Sequence, residues 1–295
     1  MKTSKKTSVQ IPRILTIAGS DSGGGAGLQA DLKVITALGG YGMTVVTAIT
    51  AQNTQGVSKI QDINLDVVEA QIDAVVSDIG VDVVKIGMLA SPAIVACVAS
   101  ALRRHGIERI VLDPVLRATS GASLGGNDTA LAIREHLFPI ASIITPNMQE
   151  ASILLGRDIT QPDEFELAAR DLMQMGPKAV LIKGGHLDNK HTQLTDFLLW
   201  QTINPDGKAL ISSKKFTHYR VDTPNTHGTG CTLSTAIATY LADGHDLSHA
   251  VAKAIAYVEA GLEAGAYLSI GNGAGPLWHM HAFYPTVLPA DSEAE

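Results

Sequence analysis

The apolar residues of the chain follow two alternating spacings. Short β-branched runs end in polar or glycine-containing segments, and each is followed by a stretch with apolar residues at helical spacing. Residues 14–18 form such a run, and residues 28–38 have the helical pattern. Residues 43–51 are rich in β-branched residues and contain no charged residue, as expected for a strand that is buried on both faces. The pattern therefore predicts strand, loop and helix units.

The same alternation continues along the chain. It predicts helices over 66–79, 92–104, 131–137, 163–175, 232–241 and 247–267, a helix that begins within 145–150, strands over 81–86, 109–112, 141–144 and 179–183, and antiparallel edge strands over 195–200 and 209–220 joined by a turn at 204–207. Asp66 and Glu69 are spaced as a capping box at the start of the first of these helices. Such alternation predicts a three-layer α/β/α sandwich with a mostly parallel central sheet.

Polar residues and glycines follow the predicted strands. In open α/β sheets ligands bind at the carboxyl ends of the strands. That edge would bring together Gly19, Gln52, Asp113, Asn147, Glu150, Lys183 and the segment 228–231.

The segment Gly228-Thr229-Gly230-Cys231 is a tight loop that leads into a helix. A helix N-terminus has unpaired amides and partial positive charge, so it favours anions such as phosphate. Glycine allows the anion close to the backbone. An isolated G-x-G is also compatible with a loop that only caps a helix.

A second glycine segment, residues 19–27, follows the first predicted strand. Gly25, Gly27 and Ala30 nearly fit a dinucleotide fingerprint, but the acidic residue expected about 20 positions later is missing. The sequence contains no G-x-x-x-x-G-K-[ST], which excludes a P-loop. Residues 115–128 are small and flexible in character, and they suggest either a mobile lid or a surface loop.

Composition narrows the class of protein. The 295 residues are 45% hydrophobic and 17% charged with a net charge of −7, which argues against nucleic acid or an anionic membrane as a partner. Only Cys97 and Cys231 are present, and no apolar run is long enough to span a membrane, so we expect a cytoplasmic protein. We expect flexible tails over 1–12 and 286–295 around a single domain at 13–285.

Several motifs together resemble the bifunctional hydroxymethylpyrimidine/phosphomethylpyrimidine kinases of thiamine biosynthesis, which belong to the ribokinase-like superfamily. They are A-G-S-D-S-G-G-G-A-G-L-Q-A-D-L-K, T-A-I-T-A-Q-N-T, K-I-G-M-L, I-T-P-N-M-Q-E-A, L-I-K-G-G-H, N-T-H-G-T-G-C-T-L-S and G-N-G-A-G-P-L-W-H-M-H-A-F-Y. The resemblance covers roughly residues 14–284.

The resemblance implies two successive ATP-dependent phosphorylations of the pyrimidine, with Mg²⁺, in a homodimer. It implies catalytic roles for Cys231, Lys183, Gly228, Thr229 and Gly230. The other implied sites are nucleotide binding by Asn147, Lys183, Thr226, Gly228 and Gly230, Mg²⁺ binding by Asp113 and Glu150, and pyrimidine binding by Gly19, Ala26, Asp31, Gln52 and Met88. A carboxylate and a carboxamide suit an aminopyrimidine edge.

Most ribokinase-like enzymes have Asp as general base at the position of Cys231, whereas this kinase subgroup has Cys. A helix N-terminus lowers a thiol pKa and nearby phosphates raise it, so the sequence leaves the sign of the shift open. Our hypothesis is that a base matters only for the first phosphorylation, because the second acceptor is already an ionised phosphate.

Three alternatives remain at this stage. A pyridoxine or pyridoxal kinase, or an enzyme with both specificities, would share the fold and phosphorylate a similar hydroxymethyl group. A pyrimidine or nucleotide sensor without catalysis is disfavoured by Lys183, Glu150 and Cys231 together. A sugar kinase is disfavoured by Cys231 and by the lack of a spare segment for a β-sheet lid near the N-terminus.

Overall fold

A computed structural model describes residues 10–116, 126–185, 193–204 and 206–284. The central part of the suggested lid, His186, Pro205 and most of both tails lie outside the described residues. In the described ranges, nine strands form one sheet: β1 (Arg13–Asp21), β2 (Tyr41–Asn53), β3 (Gly56–Asp62), β4 (Val83–Ile86), β5 (Ile110–Leu112), β6 (Ile143–Ile144), β7 (Ala179–Ile182), β8 (Gln193–Ile203) and β9 (Ala209–Tyr219).

The sheet has the order β3-β2-β1-β4-β5-β6-β7-β8-β9. The six strands in the middle, from β2 to β7, are parallel to one another, while β3, β8 and β9 pair antiparallel. This confirms the mostly parallel sheet and the antiparallel hairpin at one edge. Apart from Arg13 and Asp21 at the ends of β1, the parallel strands carry only one charged residue, Lys85, which is 0% exposed. Strands β4, β5, β6 and β7 are buried along their whole length.

Helices cover both faces of the sheet. The bounds are α1 (Gly27–Ala37), α2 (Leu65–Asp78), α3 (Pro92–Arg104), α4 (Gly126–Ala132), α5 (Met148–Leu155), α6 (Phe165–Met173), α7 (Thr229–Ala242) and α8 (Leu247–Gly265). One apolar cluster joins the sheet to α1, α7 and α8, and the other joins it to the remaining helices. The two clusters confirm the three-layer sandwich. No helix in the described ranges is long and apolar enough to cross a bilayer.

Two local predictions were wrong. The helix predicted to begin with an Asp66 and Glu69 capping box starts at Leu65 after Asn64, whose side chain makes no cap bond. Strand β3 was missed because almost all of its residues are exposed, so it has no apolar alternation to detect. The β2–β3 hairpin also supplies an exposed two-stranded extension near the N-terminus, where the sequence indicated no spare segment.

Candidate active site

Helix α7 begins at the carboxyl edge of the sheet, with Gly228 as its N-cap in the left-handed region at φ 84°. The Thr229 amide donates to the Thr226 carbonyl at 3.4 Å and the Thr232 amide to the Gly228 carbonyl at 2.8 Å. No acceptor among the described residues pairs with the amides of Gly230 and Cys231. These two donors therefore remain available to an anion.

The two glycine segments lie against each other. A Cβ on Gly228 would lie 1.9 Å from the Gly25 carbonyl oxygen, a distance that no side chain can adopt. The positive φ gives a second, independent reason for glycine at this position. Gly228 thus fixes the approach between the residue 19–27 loop and the start of α7.

Asp21 holds the first glycine loop in shape. Its carboxylate accepts hydrogen bonds from the amides of Gly23, Gly25 and Ala26 at 2.8, 3.1 and 2.9 Å. Burial raises the pKa of Asp21, but His227 and these amides outweigh burial, and the net pKa lies below its usual value. Sequence reasoning missed this role, although an Asp followed by a glycine run is a signal for amide capping.

Lys183 and Asp113 form an ion pair beside the α7 N-terminus. Lys183 Nζ lies 2.9 Å from Asp113 Oδ1, and a Cβ on Gly230 would be 3.5 Å from the same nitrogen. Burial raises the pKa of Asp113, but Lys183 and Lys85 outweigh burial and hold it below its usual range. The open amides of α7 and this lysine therefore present positive charge to one space.

Glu150 lies at the start of α5. It accepts from the Asn147 amide at 2.8 Å while the Asn147 side chain accepts from the Glu150 amide at 2.8 Å, which is a capping box. Burial raises the pKa of Glu150 to about 7, because the opposing effect of Lys183 is smaller. Burial makes the ionised form of this carboxylate costly, so an incoming cation would stabilise it. We call α7's first turn, Lys183, Asp113 and Glu150 the donor end.

Cys231 lies at the third position of α7 and is partly buried. Burial raises the pKa of its thiol to about 11, although Lys85 and a hydrogen bond from the Gly27 amide act in the opposite direction. The structure therefore supplies the sign that the sequence left open. Without bound ligand Cys231 is a neutral thiol at pH 7.

Four of the predicted pyrimidine residues lie at ends of elements: Gly19 near the end of β1, Ala26 before α1, Gln52 near the end of β2 and Met88 after β4. A Cβ on Gly19 would be 3.1 Å from Met88 Sδ, so these two residues are neighbours. Gln52 lies at the end of β2, with its Nε2 3.2 Å from His227 Nε2. We call Gly19, Ala26, Gln52 and Met88 the acceptor end.

His227 was missed by sequence reasoning. Its Nε2 lies 3.0 Å from Asp21 Oδ2 as well as beside Gln52, and its amide donates to the Gly275 carbonyl at 3.0 Å. The His227 imidazole thus joins the glycine loop to strand β2, and its backbone amide binds the residue 271–276 segment. An open cleft of about 510 Å³ lies in front of it, lined by Gln52, Thr54, Gln55, Gly56, His227, Gly273 and Ala274.

The structure contradicts a direct contact between the Asp31 side chain and a ligand. Asp31 is 0% exposed. Its carboxylate is already bonded to Thr16 at 2.5 Å, to Thr235 at 2.6 Å, and to Lys85 at 2.9 and 3.0 Å. The sequence gives no sign that this helical Asp is paired with a lysine in a neighbouring strand.

A parallel α/β sheet with an open helix N-terminus, a lysine beside it and acidic residues opposite defines a ribokinase-like phosphotransferase. Comparison with known proteins supports this class of enzyme. The family described as phosphomethylpyrimidine kinase matches residues 21–278, and the chain belongs to that family.

The similar proteins cover nearly the whole chain. A hydroxymethylpyrimidine/phosphomethylpyrimidine kinase from Rhizobium meliloti is 48% identical over 92% of this chain and 97% of its own length. A Clostridium difficile phosphomethylpyrimidine kinase structure has a TM-score of 0.71 and 40% identity, covering 85% of this chain and 98% of its own. A Bacillus subtilis pyridoxal kinase in complex with ADP has a TM-score of 0.80 and 34% identity, covering 92% and 98%.

Proposed function

We propose that this enzyme phosphorylates 4-amino-5-hydroxymethyl-2-methylpyrimidine with ATP, first to the monophosphate and then to the diphosphate, in thiamine diphosphate biosynthesis. The observation that carries the proposal is the pair of open amides at Gly230 and Cys231 beside the Lys183 ammonium. Relatives with 48% and 44% identity that are named for both phosphorylations support the choice of acceptor.

Phosphoryl transfer requires mainly positioning and charge neutralisation. The acceptor oxygen forms a bond to the γ-phosphorus while the bond to the β-γ bridging oxygen breaks and ADP leaves. The amides of Gly230 and Cys231 hold the transferred group, and Lys183 supplies a point charge to the nucleotide phosphates. Asn147 and Thr226 contribute to the nucleotide side of the same edge.

The donor end also fits Mg²⁺. No group of three or more His, Cys, Asp or Glu side chains in the described part of the chain is arranged to hold a metal alone. Asp113 and Glu150 nevertheless offer carboxylates in one buried space, and because burial raises the pKa of Glu150, a cation would stabilise its ionised form. They would hold Mg²⁺ through water, as this ion keeps much of its hydration shell. When bound, Mg²⁺ neutralises phosphate charge.

Gln52 and Met88 contact the pyrimidine in this proposal. The Gln52 carboxamide offers both a donor and an acceptor to the aminopyrimidine edge, and Met88 offers a polarizable surface to the ring. Of the two polar side chains expected to bind the pyrimidine, Asp31 is buried and already paired. Gln52 alone recognises the aminopyrimidine edge in this proposal.

Cys231 accepts the proton of the hydroxymethyl group only after losing its own. Because burial raises its pKa to about 11, the rate of the first phosphorylation should rise with pH above 7, whereas that of the second should not. Cys231→Ala should therefore slow the first step more than the second. Equal losses in the two steps would remove the base role.

The direct test incubates the protein with the hydroxymethylpyrimidine, Mg²⁺ and ATP and follows the products. We expect monophosphate and then diphosphate, with two ADP formed per pyrimidine. ADP release that does not depend on the pyrimidine would contradict the proposal.

A second candidate acceptor is pyridoxal or pyridoxine. Solved structures of pyridoxal kinases resemble this chain with TM-scores of 0.80 and 0.81 at 34% and 30% identity. Turnover of pyridoxal and of the hydroxymethylpyrimidine at equal concentration discriminates between single and dual specificity.

The proposal includes a cytoplasmic homodimer whose single domain spans residues 13–285. The free thiols of Cys97 and Cys231 suit a reducing compartment. Exposed apolar side chains on edge regions of the sheet, such as Ile49 at 51% and Ile203 at 73%, support self-association. Light scattering of the purified protein tests the oligomeric state.

A further inference from the structure

Lys85 and Asp31 form a fully buried ion pair under the start of α7. Both side chains are 0% exposed, and Lys85 Nζ is 2.9 Å from Asp31 Oδ2. Lysine and aspartate are almost never fully buried unless paired, because removing charges from water is costly. No step of the proposed phosphoryl transfer uses this pair directly.

The pair connects four elements at one point. Lys85 comes from β4 and Asp31 from α1, while Thr16 of β1 donates to Asp31 Oδ2 and Thr235 of α7 donates to Asp31 Oδ1. Asp31 thereby receives hydrogen bonds from three neighbouring elements. Both carboxylate oxygens of Asp31 therefore have hydrogen-bond donors from the protein and need no water.

The spacing of residues along α1 and α7 connects this network to Cys231. Asp31 lies four residues after Gly27 in α1, and Thr235 lies four residues after Cys231 in α7. Residues four apart lie on the same face of a helix. The Asp31–Thr235 bond therefore joins α1 and α7 one turn below Gly27 and Cys231, where the Gly27 amide opposes the burial that raises the pKa of the Cys231 thiol.

We propose that Lys85, Asp31 and Thr235 form a clamp that holds α1 and α7 in register and keeps Cys231 against the Gly27 amide. They are positioning residues, since none of them reaches the substrates. The clamp sets the rotation of α7 about its axis, and with it the direction of the open amides. This inference rests on the proposed function for its catalytic readout alone.

Charged groups around the thiol agree with this arrangement. Burial raises the pKa of Cys231; Lys85 lowers it, whereas Asp31 and Asp113 raise it. The thiolate would in turn raise the pKa of Lys183. Loss of the Gly27 bond removes a group that lowers the Cys231 pKa, so a broken clamp shifts the titration of the thiol upward.

The test uses Thr235→Val in the full chain, which removes the hydroxyl and keeps the shape. Thr235→Ser restores the donor. Thr239→Val is the matched control, since Thr239 is a buried threonine one turn further along α7 whose hydroxyl donates to the Thr235 carbonyl at 2.8 Å. We expect Thr235→Val to lower kcat about tenfold with KM changed less than about twofold. Thr235→Ser should recover most of kcat, and Thr239→Val should retain it.

Alkylation of the two cysteines by iodoacetamide at different pH values gives a readout that does not depend on kinase activity, with Cys97 as internal reference. We expect Thr235→Val to raise the midpoint for Cys231 and leave that for Cys97 unchanged. An unchanged or lowered midpoint for Cys231, or equal kcat losses in Thr235→Val and Thr239→Val, overturns the clamp. A wild-type protein with no kinase activity but with the expected alkylation shift would reject the proposed function and keep the clamp.

Discussion

The donor end and the acceptor end differ in how they use charge. The donor end gathers Lys183, Asp113 and Glu150 in one buried space and leaves two amides of α7 open. The acceptor end itself contains no charged residue, and the two acidic residues of the neighbouring segments are already paired. Asp21 accepts hydrogen bonds from backbone amides, and Asp31 pairs with Lys85. This difference fits the proposed function, in which charge neutralisation acts on the transferred phosphate and neutral groups recognise the acceptor.

The largest expected effect comes from Gly228→Ala, which tests whether the two ends must touch. A Cβ at this position would lie 1.9 Å from the Gly25 carbonyl oxygen, whereas Gly207 has a similar φ of 78° and no atom within 4 Å of its Cβ position. Both substitutions should cost about 1–2 kcal/mol of stability from backbone strain, and Gly228→Ala should cost more because its Cβ also clashes with the Gly25 carbonyl. Only Gly228→Ala should also reduce kcat/KM, by about 10³-fold.

Thermal denaturation and steady-state kinetics of the two alanine variants check this prediction. Equal activity in the two variants would show that the close approach of the loops does not matter to catalysis.

Lys183→Ala should lower kcat/KM by about 10²–10³-fold, because it removes the positive charge next to the open amides. Lys178→Ala is the control, since Lys178 is exposed and precedes the same strand. Steady-state kinetics with varied ATP and fixed pyrimidine measure the effect. If Lys183→Ala retained wild-type kcat/KM, the donor end would not work through charge.

Gln52→Leu should raise KM for the pyrimidine about tenfold, because one or two hydrogen bonds to the acceptor are lost. KM for ATP should stay the same, since Gln52 belongs to the acceptor end. His227→Leu should act in the same direction, as the imidazole lies beside the Gln52 carboxamide. A change of similar size in KM for ATP would contradict the separation of the two ends.

The smallest effect concerns the pH dependence of nucleotide binding. Glu150 has its pKa raised from 4.5 to about 7 in the folded protein, so between these values the folded state holds a proton that the unfolded state has lost. That contribution to stability is present below pH 4.5 and is lost as the pH rises to about 7. Cation binding has the opposite trend, because it needs the carboxylate.

We therefore expect the affinity for magnesium nucleotide to rise severalfold between pH 6 and pH 8, and Glu150→Gln to reduce this rise. Glu150→Gln should also be more stable than the wild type at pH 8 and lose this advantage below pH 5. Titration calorimetry and urea denaturation at each pH measure the two trends. If Glu150→Gln kept the wild-type pH dependence of binding, the raised pKa of Glu150 would have no role in cation binding.

The sequence predicted the architecture because the parallel strands are mostly apolar runs between glycines or polar residues, with Lys85 of β4 as a charged exception. It also predicted the donor end, since Asp113, Glu150 and Lys183 each follow such a strand. Strand β3 escaped because its side chains are exposed and carry no periodic pattern. Asp31 and Lys85 were not recognised as partners because their pairing depends on how α1 packs over β4, 54 residues away. His227 was missed for a similar reason, since its partners Asp21 and Gln52 come from distant parts of the chain.

The most direct test of the account is a crystal structure with a non-hydrolysable ATP analogue, Mg²⁺ and the hydroxymethylpyrimidine. Oxygens of the terminal phosphate should lie about 3 Å from the amide nitrogens of Gly230 and Cys231, with the acceptor hydroxyl on the opposite side of the phosphorus. A terminal phosphate bound elsewhere, with these two amides turned to the protein's own carbonyls, would contradict it.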